Sequence, residues 1–111
     1  MSINSRAKGK AGELEAVRFL KEHGYTNAKR GVQYNGRNGD ADVVDALPGV
    51  HLEIKRVERL NVQDAIDQSK RDAREGEMPI VLHRRNHCKW LVTLDAEDFL
   101  RLYRDWEGDD E

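Results

Sequence analysis

The stretch "GDADVVDALPGVHLEIK", Gly39–Lys55, decides how this chain folds. Two short runs with β-branched and apolar residues, Asp40–Ala46 and Val50–Val57, flank "LPG". That pattern predicts two strands joined as a hairpin. Side chains alternate along a strand. Leu52 and Ile54 therefore face one side, and His51, Glu53 and Lys55 the other. With the turn centred on Pro48-Gly49, facing residues sum to about 97, which puts Asp42 opposite Lys55 and Val44 opposite Glu53. Asp42, Glu53 and Lys55 then share one face, close enough to touch.

Two readings of that face stand side by side. In one, the hairpin is solvated and Asp42–Lys55 is a surface pair worth little. In the other, the charges serve chemistry. Neighbouring carboxylates repel unless something neutralises them. A divalent cation with oxygen ligands does so, and Mg²⁺ commonly takes one or two carboxylates plus water and phosphate oxygens. An ammonium beside such an ion can orient or deprotonate water. This suits metal-assisted hydrolysis of a phosphodiester.

Working outward, "AKGKAGELEAVRFLKEHG" predicts a helix over Ala7–His23 that ends at Gly24. At about 100° per residue, Ala16, Val17 and Leu20 all lie within about 60° of Glu13. Glu13 therefore stands in the apolar stripe, where a carboxylate is costly unless paired, metal-bound or protonated. The alternatives are an uncovered helix start or a cap on its own helix. Tyr25–Tyr34 reads as an irregular first strand, and "NGRNG" (Asn35–Gly39) as a loop.

After the hairpin, Asn61 caps a second helix, with Asp64 as a weak capping-box partner. Its inner stripe is Val62, Ala65, Ile66, Ser69 and Ala73, and Gly76 ends it. Gln68 lies at the stripe's edge. Pro79–Arg84 and Lys89–Leu94 read as further strands. Asp95 caps a last helix with Phe99, Leu102, Tyr103 and Trp106 on one face; Leu94 and Phe99 occupy the positions of a hydrophobic staple. A helix between the third and fourth strands predicts that these run parallel through a right-handed crossover. The expected fold is α/β, with a mixed central sheet flanked by helices.

At 111 residues with 36 % charged residues, the chain is sized for one domain, expected over 1–104, with an acidic tail over 105–111. No apolar run approaches the roughly 20 residues that span a bilayer. The N-terminus "MSINSRAKGKAGE" lacks the apolar core of a signal peptide. One cysteine, Cys88, allows no internal disulfide, and an intracellular location is the natural reading. Net charge is −2, but it is unevenly spread. Residues 1–37 hold eight Lys/Arg against three Glu, and 105–111 hold five acids and no base. Lys8, Lys10, Lys29, Arg30, Arg37, Arg56, Lys70 and Arg71, with Arg59, Arg74, Arg84 and Arg85, are candidates for phosphate contacts. His83, His87 and Cys88 read as a polar turn. Trp90 and Trp106 read as core or dimer contacts.

Together these residues resemble the PD-(D/E)XK nuclease superfamily. "GELEAVRFLKEHGY" (Gly12–Tyr25) is similar to the first helix of archaeal-type Holliday junction resolvases. Asp42-Val43-Val44 looks like the family's Asp followed by two apolar residues. Glu53-Ile54-Lys55 looks like its Glu-x-Lys after a short hairpin. The likeness covers roughly residues 9–94 and includes the αβββαβ order of a restriction-endonuclease-like core. It implies a Mg²⁺-dependent endonuclease, with Mn²⁺ as substitute. Asp42, Glu53 and the Ile54 carbonyl would hold the metal, Glu13 would be a further acid beside it, and Lys55 would position the attacking water. Gln68 resembles an accessory Gln of some branches. The usual Pro before the motif's Asp is Ala41 here, and Asp40 competes with Asp42 for its role. The wording looks phage-encoded. The implied partner is branched DNA, bound by a homodimer.

Overall fold

The computed structural model describes residues 5–31 and 42–108. The last part of the expected first strand, the "NGRNG" loop, Arg37 and Asp40 lie outside the described residues, as does the side chain of Lys8. The elements are α1 (Ser5–Glu22), β1 (Lys29–Arg30), β2 (Val43–Val44), β3 (Val50–Arg56), α2 (Val62–Asp72), β4 (Met78–Arg84), β5 (Leu91–Thr93) and α3 (Ala96–Gly108). The five strands form one sheet in sequential order. All neighbours are antiparallel except β3 and β4, which run parallel from Val50–Met78 to Arg56–Arg84. The mixed α/β sheet expected from the sequence is therefore present, though β1 and β2 are shorter than their predicted runs.

The sheet has two covered faces. Ala16, Val17 and Leu20 of α1 pack with Val43, Leu52, Ile54, Ile80 and Leu82. Ala65 and Ile66 of α2 pack with Val81 on the other side. This is the alternation along β3 made visible: Leu52 and Ile54 go to α1, while His51, Glu53 and Lys55 go to the α2 face. α1 ends in a Schellman turn. Gly24 has φ +98°, its amide donates to the Lys21 carbonyl, and the Tyr25 amide donates to the Leu20 carbonyl. Asn61 caps α2 by accepting from the Asp64 amide at 3.0 Å. The fully buried Ser69 hydroxyl ties α2 to the sheet by donating to the Ile80 carbonyl.

Gly12 sets how closely α1 lies on β3. A Cβ at this position would stand 2.7 Å from the Cβ of Arg56. Gly12→Ala is expected to cost about 1–3 kcal/mol through overpacking and to shift Glu13 with the helix. A urea midpoint equal to wild type would show that α1 tolerates the displacement.

Three sequence expectations need correction. Val43 faces Leu52, and the Asp42 amide donates to the Leu52 carbonyl. The register is thus shifted, and Asp42 meets Glu53 rather than Lys55. The cause lies in the turn. Asp45 adopts a left-handed φ of 61° and Gly49 one of 82°, so the reversal is centred one residue earlier than Pro48-Gly49. Next, Val62 is 44 % exposed and does not belong to the inner stripe of α2, and the helix ends at Asp72 with Ala73 as its extended cap, short of Gly76. Finally, the staple expected between Leu94 and Phe99 does not close, because α3 keeps its apolar face off the body. Every residue of α3 except Asp98 is exposed, Phe99, Leu102, Tyr103 and Trp106 among them. Asp95 does stand at the start of α3, accepting from the Phe99 amide through its carbonyl, while its side chain pairs with Lys70 at 2.9 Å.

Candidate metal centre

Four elements converge on a cleft of about 380 Å³ lined by Gly9, Gly12, Glu13, Asp42, Glu53, Ile54, Lys55, Arg56, Val57 and Gln68. All five residues singled out for catalysis, Glu13, Asp42, Glu53, Lys55 and Gln68, are in this lining. α1 brings Glu13, the chain entering β2 brings Asp42, β3 brings Glu53, Ile54 and Lys55, and α2 brings Gln68.

The solvated reading of the hairpin fails on burial. Asp42 is 7 % exposed and Glu53 4 %. Asp42 Oδ2 accepts from the Ile54 amide at 2.8 Å. A residue's N–H and C=O leave an extended strand on the same side, so the Ile54 carbonyl faces the same edge. Burial, followed by the charge of Glu53, pushes the Asp42 carboxyl up to about 7, and a hydrogen bond between the two carboxyls adds to the shift. Two carboxyls buried against each other in this way mark a place where positive charge is wanted.

Glu53 is held from two sides. Gln68 Nε2 donates to Oε2 at 3.0 Å, and His51 Nε2 lies 3.3 Å from Oε1. Gln68, which the sequence places at the edge of the α2 stripe, thus contacts the central carboxylate directly. Glu13 is paired with Arg30, whose Nε donates at 2.9 Å, and its charge reaches Asp42. Lys55 lines the cleft with no ion pair to any described residue.

His51 was placed on this face but given no role. It is 2 % exposed, and its Nδ1 faces Glu77 at 3.9 Å. Burial lowers its pKa, but the hydrogen bond to Glu53 and the charges of Glu53, Glu77 and Asp72 outweigh that and raise it. His51, Glu53 and Asp72 together offer ligand-type atoms within 4.8 Å of one another. The available signal was position: two residues before Glu53, on the same strand face.

The candidate phosphate contacts divide. Lys29 pairs with Asp45, Arg30 with Glu13, Arg56 with Glu15 and Glu58, and Lys70 with Asp95. Arg84 also pairs with Glu15. Glu15 and Arg56 join α1 to β3 as a structural knot, so Arg56 is already committed. Lys10 and Arg71 are exposed and have no ion pair with a described residue. Of the polar turn, only His87 and Cys88 lie between strands: His83 belongs to β4 and its Nε2 lies 2.9 Å from Thr93 Oγ1 on β5, while Cys88 Sγ accepts from Arg85. Trp90 packs beside Phe19 at the core's edge, whereas Trp106 is 62 % exposed. No helix among the described residues is long and apolar enough to cross a membrane. No family model, curated protein or solved structure matches the chain.

Proposed function

We propose that this chain is a divalent-metal-dependent DNA endonuclease with a restriction-endonuclease-like core, acting as a homodimer on branched DNA inside a prokaryotic or phage-infected cell. One observation carries the reading. Two buried carboxyls, Asp42 and Glu53, line one cleft with the Lys55 ammonium, which has no ion pair among the described residues.

The donors suit Mg²⁺, or Mn²⁺ in its place: hard carboxylate oxygens, and a carbonyl on the same edge. Asp42, Glu53 and the Ile54 carbonyl would hold the ion, with Glu13 as a further acid nearby. The chemistry such an ion supplies is charge neutralisation at the scissile phosphate and a more acidic water. Lys55 orients that water through its N–H donors. Gln68 fixes the plane of Glu53. Arg30 balances the charge of Glu13, so that the cleft does not gather three uncompensated carboxylates. Lys10 and Arg71, exposed and with no ion pair among the described residues, meet the DNA backbone.

The homodimer part rests on α3. Phe99, Leu102, Tyr103 and Trp106 are each about half exposed or more. Counting half of a typical large side chain for each, they leave roughly 400 Å² of apolar surface in water. A second copy buries that helix face against its own equivalent, and a two-fold pair supplies the two cuts a four-way junction needs.

The test is a substrate panel of four-way junction, flap, single-strand and duplex DNA, with Mg²⁺ or with EDTA. Cleavage of the junction only with Mg²⁺ is expected. Cleavage of flaps or single strands alone keeps the nuclease and removes the junction specificity. Metal-independent binding without cleavage of any substrate makes the chain a DNA-binding module of the same fold.

A further inference from the structure

We infer that His51 is a positioning residue for the metal centre, aiming Glu53 from behind the cleft; this rests on the metal-centre reading above. Glu53 has three rotatable side-chain bonds, and a buried carboxylate that can swing is a poor ligand. Its plane is fixed only if both oxygens are held. Gln68 holds Oε2 and His51 holds Oε1. The two clamps come from different elements, α2 and β3, and leave the remaining lone pairs of Glu53 for Asp42 and the cleft.

His51 is itself built to donate. The ring is almost fully buried, so water does not compete for its nitrogens. Nε2 faces the Glu53 carboxylate, and Nδ1 faces that of Glu77. A bare imidazole lone pair aimed at a carboxylate is repulsive, so Nε2, the nitrogen nearer its carboxylate, carries a hydrogen. Glu77 is anchored in turn, because its Oε1 accepts from the Arg74 amide at 2.7 Å. The chain of contacts runs from the turn before β4, through His51, to the carboxylate at the metal centre. Such outer partners orient a ligand without touching the ion, and removing one typically costs about 10- to 100-fold in metal affinity.

The alternative use of the same side chains is direct ligation, with His51, Glu53 and Asp72 around a second ion. The two uses differ in stoichiometry. The experiment is calorimetric titration of Mn²⁺ into wild-type protein, His51→Gln and His51→Leu. Gln and Leu have similar bulk, but only Gln keeps an N–H donor. Positioning predicts one Mn²⁺ site of unchanged stoichiometry, weakened about 10- to 100-fold in H51L and largely restored in H51Q. It is overturned if H51L binds as tightly as wild type, if H51Q is no better than H51L, or if H51L loses one of two ions. A wild-type chain that binds no Mn²⁺ takes the metal-centre reading down as well, which separates the two failures. A measurement on unmutated protein covers the case of variants that do not fold. The His51 Nε2–H resonance is expected to shift on Mg²⁺ titration with the affinity of the metal site, and a resonance that ignores saturating Mg²⁺ overturns the inference.

Discussion

Asp42→Asn is expected to abolish Mg²⁺-dependent cleavage and, in EDTA, to remove a fall in stability that wild-type protein should show as pH rises. In the folded chain, burial and then the charge of Glu53 place the Asp42 carboxyl at about 7, against 3.8 for the ordinary group. Between those values the folded chain keeps a proton that the unfolded chain has released. Stability therefore declines with rising pH. The contribution is complete below about pH 4 and gone above about pH 7, and a shift of roughly three units corresponds to on the order of 4 kcal/mol. Asn carries no charge at any pH and still presents an oxygen to the Ile54 amide, so D42N melts with a flattened pH profile and is more stable than wild type at pH 8. Glu53→Gln and Lys55→Ala are expected to stop cleavage as well. K55A is expected to keep the pH-dependence of stability, because burial and the Glu53 charge, both left intact, are the main causes of the Asp42 shift. Thermal melts from pH 4 to 8.5 in EDTA, beside nicking rates in Mg²⁺, check both halves. Any of the three variants cutting at the wild-type rate would remove it from the site.

Leu102→Arg is expected to turn a two-fold dimer into a monomer and a resolvase into a nickase. The wild-type chain of 12.8 kDa should scatter light at micromolar concentration with twice that mass. α3 packs hardly at all against its own body, so a charge at Leu102 leaves the protomer's core intact and acts on the contact between copies. The consequence for chemistry is large. Two linked sites make the second cut of a junction effectively intramolecular, which can be worth a factor of about 10² or more over two separate visits. On a cruciform plasmid, wild type should give linear product and L102R nicked circles. Wild-type protein that is monomeric and gives only nicked circles sinks the resolvase reading and leaves the nuclease. A dimeric L102R moves the interface away from α3.

Most of the framework could be read from residue order. The alternation Leu52/Ile54 against His51/Glu53, the Asn61 cap and the apolar stripe of α1 all rest on local periodicity, and all are present. The hairpin register was lost because it depended on Asp45, a residue with no obvious reason to adopt a left-handed backbone. The role of Gln68 was open because it depends on how α2 lies across β3, which helix periodicity does not encode. The ion pairs were out of reach for a related reason: Glu15 meets Arg56 and Arg84, partners 41 and 69 positions away. The exposure of α3 runs against the ordinary expectation that an apolar helix face covers its own core.

The parallel pairing of β3 with β4 through α2 has a consequence for the order of assembly. Residues 50–84 form a continuous strand–helix–strand unit with a small core of its own. Glu53, Gln68 and His51 all belong to it, whereas Glu13 and Asp42 arrive from outside. If that unit forms the folding nucleus, half of the cleft exists in the transition state and the paired carboxyls close only afterwards. A cation that needs both Asp42 and Glu53 then binds on the native side of the barrier. In stopped-flow experiments Mg²⁺ should slow unfolding and leave the refolding rate almost unchanged; faster refolding would mean that Asp42 is already docked at the barrier.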